Sequence, residues 1–201
     1  MPHPRFGRLG TKTPHGLAAP LRDVVQQALG PGFKDLFNVL QKSSRRSVRD
    51  RLNLLDLIIF GCCIGDTDRH AKNFSIILTD AGPRLAPGYD LMSALPYDAI
   101  TSNIAMEIAG KNRADYLERR HWERFAQDVG LAPAATVARV RELSSVIANG
   151  TRELPAQLQE EFPITGNSLN DIASRIQERA QRLAANASRG PSAKAGDGNA
   201  D

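Results

Sequence analysis

The chain has 201 residues, of which 41% are hydrophobic and 24% are charged. These proportions are ordinary for a globular protein, and they exclude a wholly disordered chain, a collagen and a coiled-coil fibre. The formal net charge of +4 is too small to indicate a dedicated nucleic-acid-binding protein. Nine basic residues lie within residues 1–50, a pattern typical of a solvated helix start and also of a surface that contacts an anionic partner.

The two cysteines and the N-terminal residues predict a cytoplasmic protein without membrane association. Cys62 and Cys63 are adjacent in an apolar run, so we expect buried thiols rather than a disulfide framework or a zinc site. Residues 1–16 lack the apolar region of a secretory signal. The longest apolar run, residues 57–64, is far shorter than a membrane span.

The first third of the chain predicts a linker followed by helices. Residues 1–19 are rich in Pro and Gly without periodic apolar residues, and we expect them to be irregular. Apolar spacing predicts helices over residues 20–29 and 33–40, separated by a Gly-Pro-Gly break. A third helix, from Ser44 or Ser47 to Gly65, is apolar nearly all round in its second half, which is typical of a buried helix.

The remaining elements predict a helix-rich α+β lobe over residues 20–187, with short β-hairpins at the site. A buried strand is expected over 74–78, and 84–87 return as its hairpin partner, whereas 104–108 fit either a strand or a helix. Four helices follow, over residues 119–129, 133–148, 151–161 and 167–187, with a break at Gly150. The low-complexity tail, residues 188–201, is expected to be disordered.

A polar segment, DTDRHAKN, lies between the buried helix and the buried strand. Within it Asp68 and Asn73 are five residues apart, and Asp90 follows the hairpin. Phosphoryl transfer uses one carboxylate to accept the proton of the attacking hydroxyl, and an amide and a second carboxylate to hold Mg²⁺ against the ATP phosphates. Protein kinases place the base and the amide as D-x-x-x-x-N, with the second acid after a hairpin.

The spacing alone leaves two other interpretations open. The segment could be a polar loop whose Asp side chains cap helices or turns. Asp66 and His70 could also belong to a divalent-metal hydrolase, although such sites usually need two or three imidazoles within reach. The other three histidines lie in the N-terminal linker or beside Trp122.

Residues 60–93 resemble the C-terminal lobe of the HipA-like serine/threonine kinases, the toxins of type II toxin–antitoxin pairs. Their sequence is FGCCIGDTDRHAKNFSIILTDAGPRLAPGYDLMS. The shared pattern is I-G-x-T-D-x-H-x-K-N-F-S, then L-x-P-x-Y-D, two hydrophobic residues and Ser. A looser resemblance extends from about residue 9 to 185. It implies a protein-kinase-like C-terminal lobe and an ATP- and Mg²⁺-dependent serine/threonine kinase.

The resemblance also implies a role for individual residues and a set of partners. Asp68 matches the catalytic base, and Asn73 and Asp90 match the Mg²⁺ ligands. The positions matching ATP contacts are His70, Lys72, Asn73, Tyr89 and Asp90. Lys72 could neutralise phosphate charge or pair with Asp66, which stands where the family often has Asn or Ala. The implied partners are a helix-turn-helix antitoxin, DNA reached only through that antitoxin, and a protein substrate, in this family typically an aminoacyl-tRNA synthetase.

One part of the family pattern is missing from this sequence. Residues 1–60 contain no G-x-G-x-x-G loop and no lysine in a strand pattern, which are the phosphate-binding parts of a kinase N-lobe. We therefore expect a truncated form with little activity alone, which a separate N-lobe chain could complete. An exposed apolar patch should flank the site, with Tyr89, Leu91 and Met92 beside it and Phe6, Leu9 and Leu17 in the linker.

Two other functions remain open at this point. The chain could be a catalytically silent module that contacts an antitoxin or an N-lobe chain. It could also be a small-molecule phosphotransferase of the aminoglycoside or choline kinase kind, which uses a D-x-x-x-x-N loop as well. The sequence T-D-x-H-x-K-N-F-S favours the HipA type over the latter.

Overall fold

The computed structural model describes residues 5–8, 30–97, 99–161 and 168–189. The strands are β1 (Arg5–Arg8), β2 (Ser75–Thr79), β3 (Gly82–Leu85), β4 (Asn103–Ile108) and β5 (Lys111–Arg113), and the helices are α1 (Phe33–Ser43), α2 (Ser47–Ile64), α3 (Arg119–Val129), α4 (Pro133–Glu161) and α5 (Ser168–Ser188). This mostly helical arrangement with two small antiparallel sheets confirms the expected α+β fold class. Of the described helices, none combines the length and apolar character that crossing a membrane requires.

Helix α2 lies at the centre of the molecule, as its apolar second half predicts. Its buried side chains, Leu54, Leu55, Ile58, Ile59, Cys62 and Cys63, belong to a core shared with α1, α3, α4 and α5. Burial raises the pKa of Cys62 to about 12 and that of Cys63 to about 11, because a thiolate is poorly solvated in this core. Both cysteines are free and buried, which confirms the expectation of buried thiols.

An aromatic cluster joins α1 and α3 to the residue before β2. Phe125 makes edge-to-face contacts with Phe33, Phe37 and Trp122, and Phe33 makes one with Phe74, the residue before β2. Such pairs each stabilise a fold by about 0.5–1.5 kcal/mol beyond the area they bury. The cluster therefore fixes the start of β2 against the helices.

Strands β1, β2 and β3 form an antiparallel sheet in that order, and β4 pairs with β5. The hairpin between β2 and β3 has a two-residue turn, since Thr79 pairs with Gly82, whose φ of +105° favours glycine. The buried carboxylate of Asp50 in α2 accepts hydrogen bonds from the Ser44 hydroxyl, at 2.6 Å, and from the backbone N–H of Leu85, at 2.8 Å. The hairpin is therefore attached to the first turns of α2.

One expectation about the helices differs from the structure. The break at Gly150 is wrong, because α4 continues from Pro133 to Glu161. A glycine inside a helix costs about 1 kcal/mol. The buried face of α4, which includes Ser144, Ala148, Thr151 and Pro155, supplies the packing that outweighs this cost.

Differences also occur near the chain ends. Arg5–Arg8, inside the segment expected to be irregular, form β1 and pair with β2. The alternative at residues 104–108 is resolved as strand β4. Helix α5 ends at Ser188, one residue beyond the expected end of the lobe. The rest of the expected linker, the helix over residues 20–29 and the tail from residue 190 lie outside the described residues.

Candidate active site

The loop that carries the predicted catalytic residues begins where α2 ends. Gly65 has a φ of +69°, and a Cβ atom there would come within 2.6 Å of the Leu95 side chain. The Gly65 carbonyl accepts a hydrogen bond from the backbone N–H of Ala94, at 3.1 Å. Only glycine meets both demands without strain, so the chain turns here into residues 66–73, which we name the site loop.

The site loop is a compact turn that holds Asp68 and Asn73 together. The Asp68 carbonyl accepts hydrogen bonds from the Asn73 side-chain Nδ2, at 3.0 Å, and from the His70 backbone N–H, at 2.8 Å. Asn73 is buried, whereas the Asp68 side chain is 72% exposed and its Oδ1 lies 3.9 Å from His70 Nε2. The arrangement leaves the Asp68 carboxylate accessible to a substrate while its backbone is held in place.

Asp66 and Arg69 form a buried ion pair inside the same loop. Arg69 Nη1 lies 3.2 Å from Asp66 Oδ2, and the side chains are only 4% and 2% exposed. Burial raises the pKa of Asp66 to about 6, and the nearby Arg69 charge opposes this rise. The structure thus gives Asp66 the partner Arg69, a pair that the sequence interpretation did not name. Sequence reasoning assigned Arg69 no role, although an acid and a base three residues apart after an apolar helix were visible.

The turn that carries Asp90 is attached to the site loop through Tyr89. The Tyr89 hydroxyl donates a hydrogen bond to the Lys72 carbonyl, at 2.8 Å, and lies 2.7 Å from the Ser75 hydroxyl. Asp90 is exposed and has a φ of +52°, a left-handed conformation that costs a non-glycine residue about 1–2 kcal/mol. Its charge acts on Asp66 and Arg69, so the Asp90 turn lies within electrostatic range of the loop.

The side chains near the loop offer oxygen ligands. In the described part of the chain, no three His, Cys, Asp or Glu side chains converge as a metal cluster. The predicted pair consists of one amide and one carboxylate, Asn73 and Asp90. Because the Asn73 Nδ2 must be the atom that donates to the Asp68 carbonyl, its Oδ1 is the atom left for a ligand. An amide oxygen with an exposed carboxylate suits Mg²⁺, which prefers oxygen ligands and keeps several waters.

Two further surfaces border the site loop. A cavity of about 250 Å³ opens beside Thr67 and is lined by Leu95, Ile100 and Arg179, among others. Past the Asp90 turn the surface is apolar, with Tyr89 39%, Leu91 38% and Met92 65% exposed. These three agree with the expected patch, and the linker part of that patch lies outside the described side chains.

Most of the chain matches a known protein family. Residues 12–150 match the model described as HipA-like C-terminal domain. "Putative kinase Y4mE" of Sinorhizobium fredii is 34% identical over 155 residues, which are 76% of this chain and 36% of that protein. "Serine/threonine-protein kinase toxin HipA" of Shewanella oneidensis is 24% identical over 160 residues, which are 78% of this chain and 37% of that protein.

The fold is similar to a solved structure from the same group. A chain of the Shewanella oneidensis MR-1 toxin–antitoxin complex of HipA, HipB and operator DNA aligns with a TM-score of 0.68 at 20% identity, over 86% of this chain and 39% of that one. The fold is therefore the kinase-like fold of HipA. Since the family model matches more than half of the residues, the chain belongs to the HipA-like C-terminal domain family, as its resemblance predicted. It spans less than two fifths of the length of these relatives.

Proposed function

We propose that this chain carries the catalytic and Mg²⁺–ATP-binding residues of a serine/threonine protein kinase of the HipA type. The observation that carries the proposal is the attachment of the Asp90 turn to the site loop, through the hydrogen bond from Tyr89 to the Lys72 carbonyl. This bond brings the segment with the second acid to the loop with the D-x-x-x-x-N pair. Family membership supports the reaction class, and the roles of individual residues are our assignment.

Asp68 is the proposed base. Its carboxylate is exposed, and its backbone carbonyl is held by Asn73 and His70, so it can accept a proton without moving the loop. The hydroxyl of a Ser or Thr substrate gives its proton to Asp68 while its oxygen bonds to the γ-phosphorus of ATP. The bond from that phosphorus to the β–γ bridging oxygen breaks, and ADP leaves.

Asn73 and Asp90 are the proposed ligands of the metal, because the Asn73 amide donates through Nδ2, which leaves its oxygen as the ligand atom, and the Asp90 residue is exposed. A bound Mg²⁺ neutralises charge on the ATP phosphates. His70, Lys72 and Tyr89 are the proposed contacts of the nucleotide. Lys72 lies on the turn that Tyr89 holds, where a cation can approach a phosphate.

The partners follow from the same family and from the surface beside the site. The structure with a similar fold is titled as a complex of HipA with HipB and operator DNA, which supports a helix-turn-helix antitoxin as a partner and DNA as an indirect one. The exposed apolar side chains of Tyr89, Leu91 and Met92 support a second protein segment, such as a kinase N-lobe, seated over the site. The proposed substrate is a protein, and the reaction is proposed to occur in the cytoplasm.

The test separates metal–nucleotide binding from phosphoryl transfer. Binding of Mn²⁺–ATP to the 201-residue chain is measured by water-proton relaxation, and transfer is measured with labelled ATP. We expect Asp90→Asn to weaken binding about tenfold, because the carboxylate ligand loses its charge. Asp68→Asn should leave binding intact and abolish the slow transfer, since it removes only the proton acceptor.

Asp80→Asn provides the matched control, because Asp80 is an exposed acid in the hairpin turn. It should leave both binding and transfer unchanged. A wild-type chain that binds no Mn²⁺–ATP, or an Asp90→Asn chain that binds it as tightly as the wild type, would contradict the proposal. Intact binding with no detectable transfer in any variant would favour the catalytically silent module.

A further inference from the structure

The site loop contains an ion pair that the proposed reaction does not use. Asp66 and Arg69 are both buried, and they lie on either side of the proposed base, Asp68. Burying two charges is costly, and a buried ion pair is often less stabilising than apolar side chains of the same volume. Stability alone therefore does not explain why charges occupy these two positions.

The carboxylate of Asp66 lies inside the loop beside the backbone of the proposed base. It accepts a hydrogen bond from the Arg69 guanidinium, at 3.2 Å, and the nearby backbone N–H of Asp68 lowers its pKa, against the larger effect of burial. The carbonyl of Asp68 in turn accepts hydrogen bonds from Asn73 and His70. The Asp68 backbone is thus held through its carbonyl by Asn73 and His70, next to the buried Asp66 carboxylate.

The Arg69 side chain connects the loop to three neighbouring elements. Its guanidinium lies over the Phe74 ring, 5.2 Å from the centroid, and its Cδ lies 3.0 Å from the position of a Cβ atom built on Gly61 in α2. The Arg69 guanidinium also lies within electrostatic range of the Asp90 carboxylate. Its Nε and Nη2 are buried without a hydrogen-bond partner, so two donors of the guanidinium remain unsatisfied.

We propose that Asp66 and Arg69 are a positioning pair that fixes the site loop against Phe74 and α2 without touching substrate. Asp66 holds the Arg69 guanidinium inside the loop, and Arg69 packs the loop on the Phe74 ring and on Gly61. The inference rests on the proposed function for the roles of Asp68, Asn73 and Asp90. It adds two residues to that site and assigns them to positioning rather than to chemistry.

The test compares conservative and disruptive variants by two readouts. The first is the dissociation constant of Mn²⁺–ATP, and the second is hydrogen exchange of the Asp68, His70 and Asn73 amides, resolved by NMR. Arg69→Gln and Asp66→Leu should weaken binding about tenfold and speed exchange about tenfold, since a hydrogen bond to a charged group is lost in each. Asp66→Asn should restore both values to within about threefold of the wild type, because its amide oxygen can still accept a hydrogen bond from the Arg69 guanidinium.

Arg139→Gln is the matched control. Arg139 makes two 2.7 Å hydrogen bonds to Asp56, so this variant also detaches an arginine from α2, but away from the site loop. It should lower stability without moving binding or loop exchange. Comparing Arg139→Gln with Arg69→Gln therefore distinguishes a positioning role of Arg69 from a general loss of stability.

Each remaining outcome decides the inference. Arg69→Gln with wild-type binding and wild-type exchange would overturn it, as would an Asp66→Asn chain no better than Asp66→Leu. A wild-type chain that binds no Mn²⁺–ATP would contradict the proposed function, and the exchange measurements would then decide by themselves whether the pair holds the loop.

Discussion

The hydroxyl of Tyr89 donates a hydrogen bond to the backbone carbonyl of Lys72, at 2.8 Å, and lies 2.7 Å from the hydroxyl of Ser75. Two segments that are 17 residues apart are thereby joined directly beside the proposed base and metal ligands. Gly88 makes the approach possible, because a Cβ atom there would meet the Leu57 side chain of α2 at 2.6 Å. The segment that leads to Asp90 therefore packs on α2 at Gly88 and is hydrogen-bonded to the site loop at Tyr89.

This relationship predicts the effect of removing one oxygen atom. Tyr89→Phe keeps the ring but leaves the Lys72 carbonyl and the buried Ser75 hydroxyl without this partner. We expect a loss of about 1 kcal/mol in the free energy of unfolding and about a fivefold loss in Mn²⁺–ATP affinity. Chemical denaturation and water-proton relaxation measure the two effects. Tyr97→Phe, at a largely exposed tyrosine, is the control, and an equal loss in both variants would argue against a special role for Tyr89.

The attachment of the β2–β3 hairpin to α2 depends on Asp50. Asp50→Ala leaves the Leu85 N–H and the Ser44 hydroxyl without their acceptor, so we expect a loss of about 3 kcal/mol in urea denaturation. Asp56→Ala removes a more exposed carboxylate paired with Arg139 and should cost no more than about 1 kcal/mol. Similar losses for the two variants would show that the buried acceptor is not what anchors the hairpin.

The buried carboxyl of Asp66 predicts a pH dependence of stability. Its pKa in the folded chain is about 6, above the ordinary value of 3.8, so between these pH values the folded state holds a proton that the unfolded state releases. The contribution of Asp66 to stability is therefore fully present below about pH 4, falls as the pH rises to about 6, and is constant above that. The total change should not exceed about 3 kcal/mol, since one pKa unit corresponds to about 1.4 kcal/mol.

The measurement is the difference in the free energy of unfolding between the wild type and Asp66→Asn, taken from pH 4 to pH 8. The wild type should lose stability relative to Asp66→Asn between pH 4 and about pH 6, and the difference should be constant above that. A difference that is independent of pH, or one that favours the wild type increasingly as the pH rises, would show that the pKa of Asp66 is not raised.

The apolar side chains past the Asp90 turn predict association. With Leu91 and Met92 exposed beside Tyr89, we expect the chain to self-associate in sedimentation experiments at high concentration. Replacing Leu91 and Met92 by Ser should restore a monomer, whereas Val48→Ser, at another exposed apolar residue at the start of α2, should not. A wild-type chain that is monomeric at every concentration would argue against a missing partner at this surface.

Much of the fold could be predicted because local patterns and tertiary packing agree. The apolar periodicity of α1, α2 and α3 identified them correctly, and a left-handed glycine ends α2 where the sequence suggested. Gly150 misled the prediction, because its low helix propensity is a local property whereas the burial of one face of α4 depends on the rest of the fold. Periodicity likewise could not decide 104–108, where strand pairing with β5 determines the outcome.

The candidate site, like the fold, could be predicted from the sequence only in part. The spacing of Asp68 and Asn73 and the position of Asp90 were visible in the sequence, because they are fixed by a short loop and a hairpin. The partnership of Asp66 with Arg69 was not, since it depends on the burial of the loop against Gly61 and Phe74. Side chains that position a loop carry no motif of their own, and they emerge only from its packing.

We propose that the site loop and the Asp90 turn form one metal–nucleotide site, which crystals of the chain grown with Mn²⁺ and ATP and measured at the manganese absorption edge can test. We expect an anomalous peak about 2.2 Å from both Asn73 Oδ1 and an Asp90 carboxylate oxygen, with ATP phosphates completing the coordination. Nucleotide-bearing crystals in which manganese is absent from these residues, or touches only one of them, would contradict it.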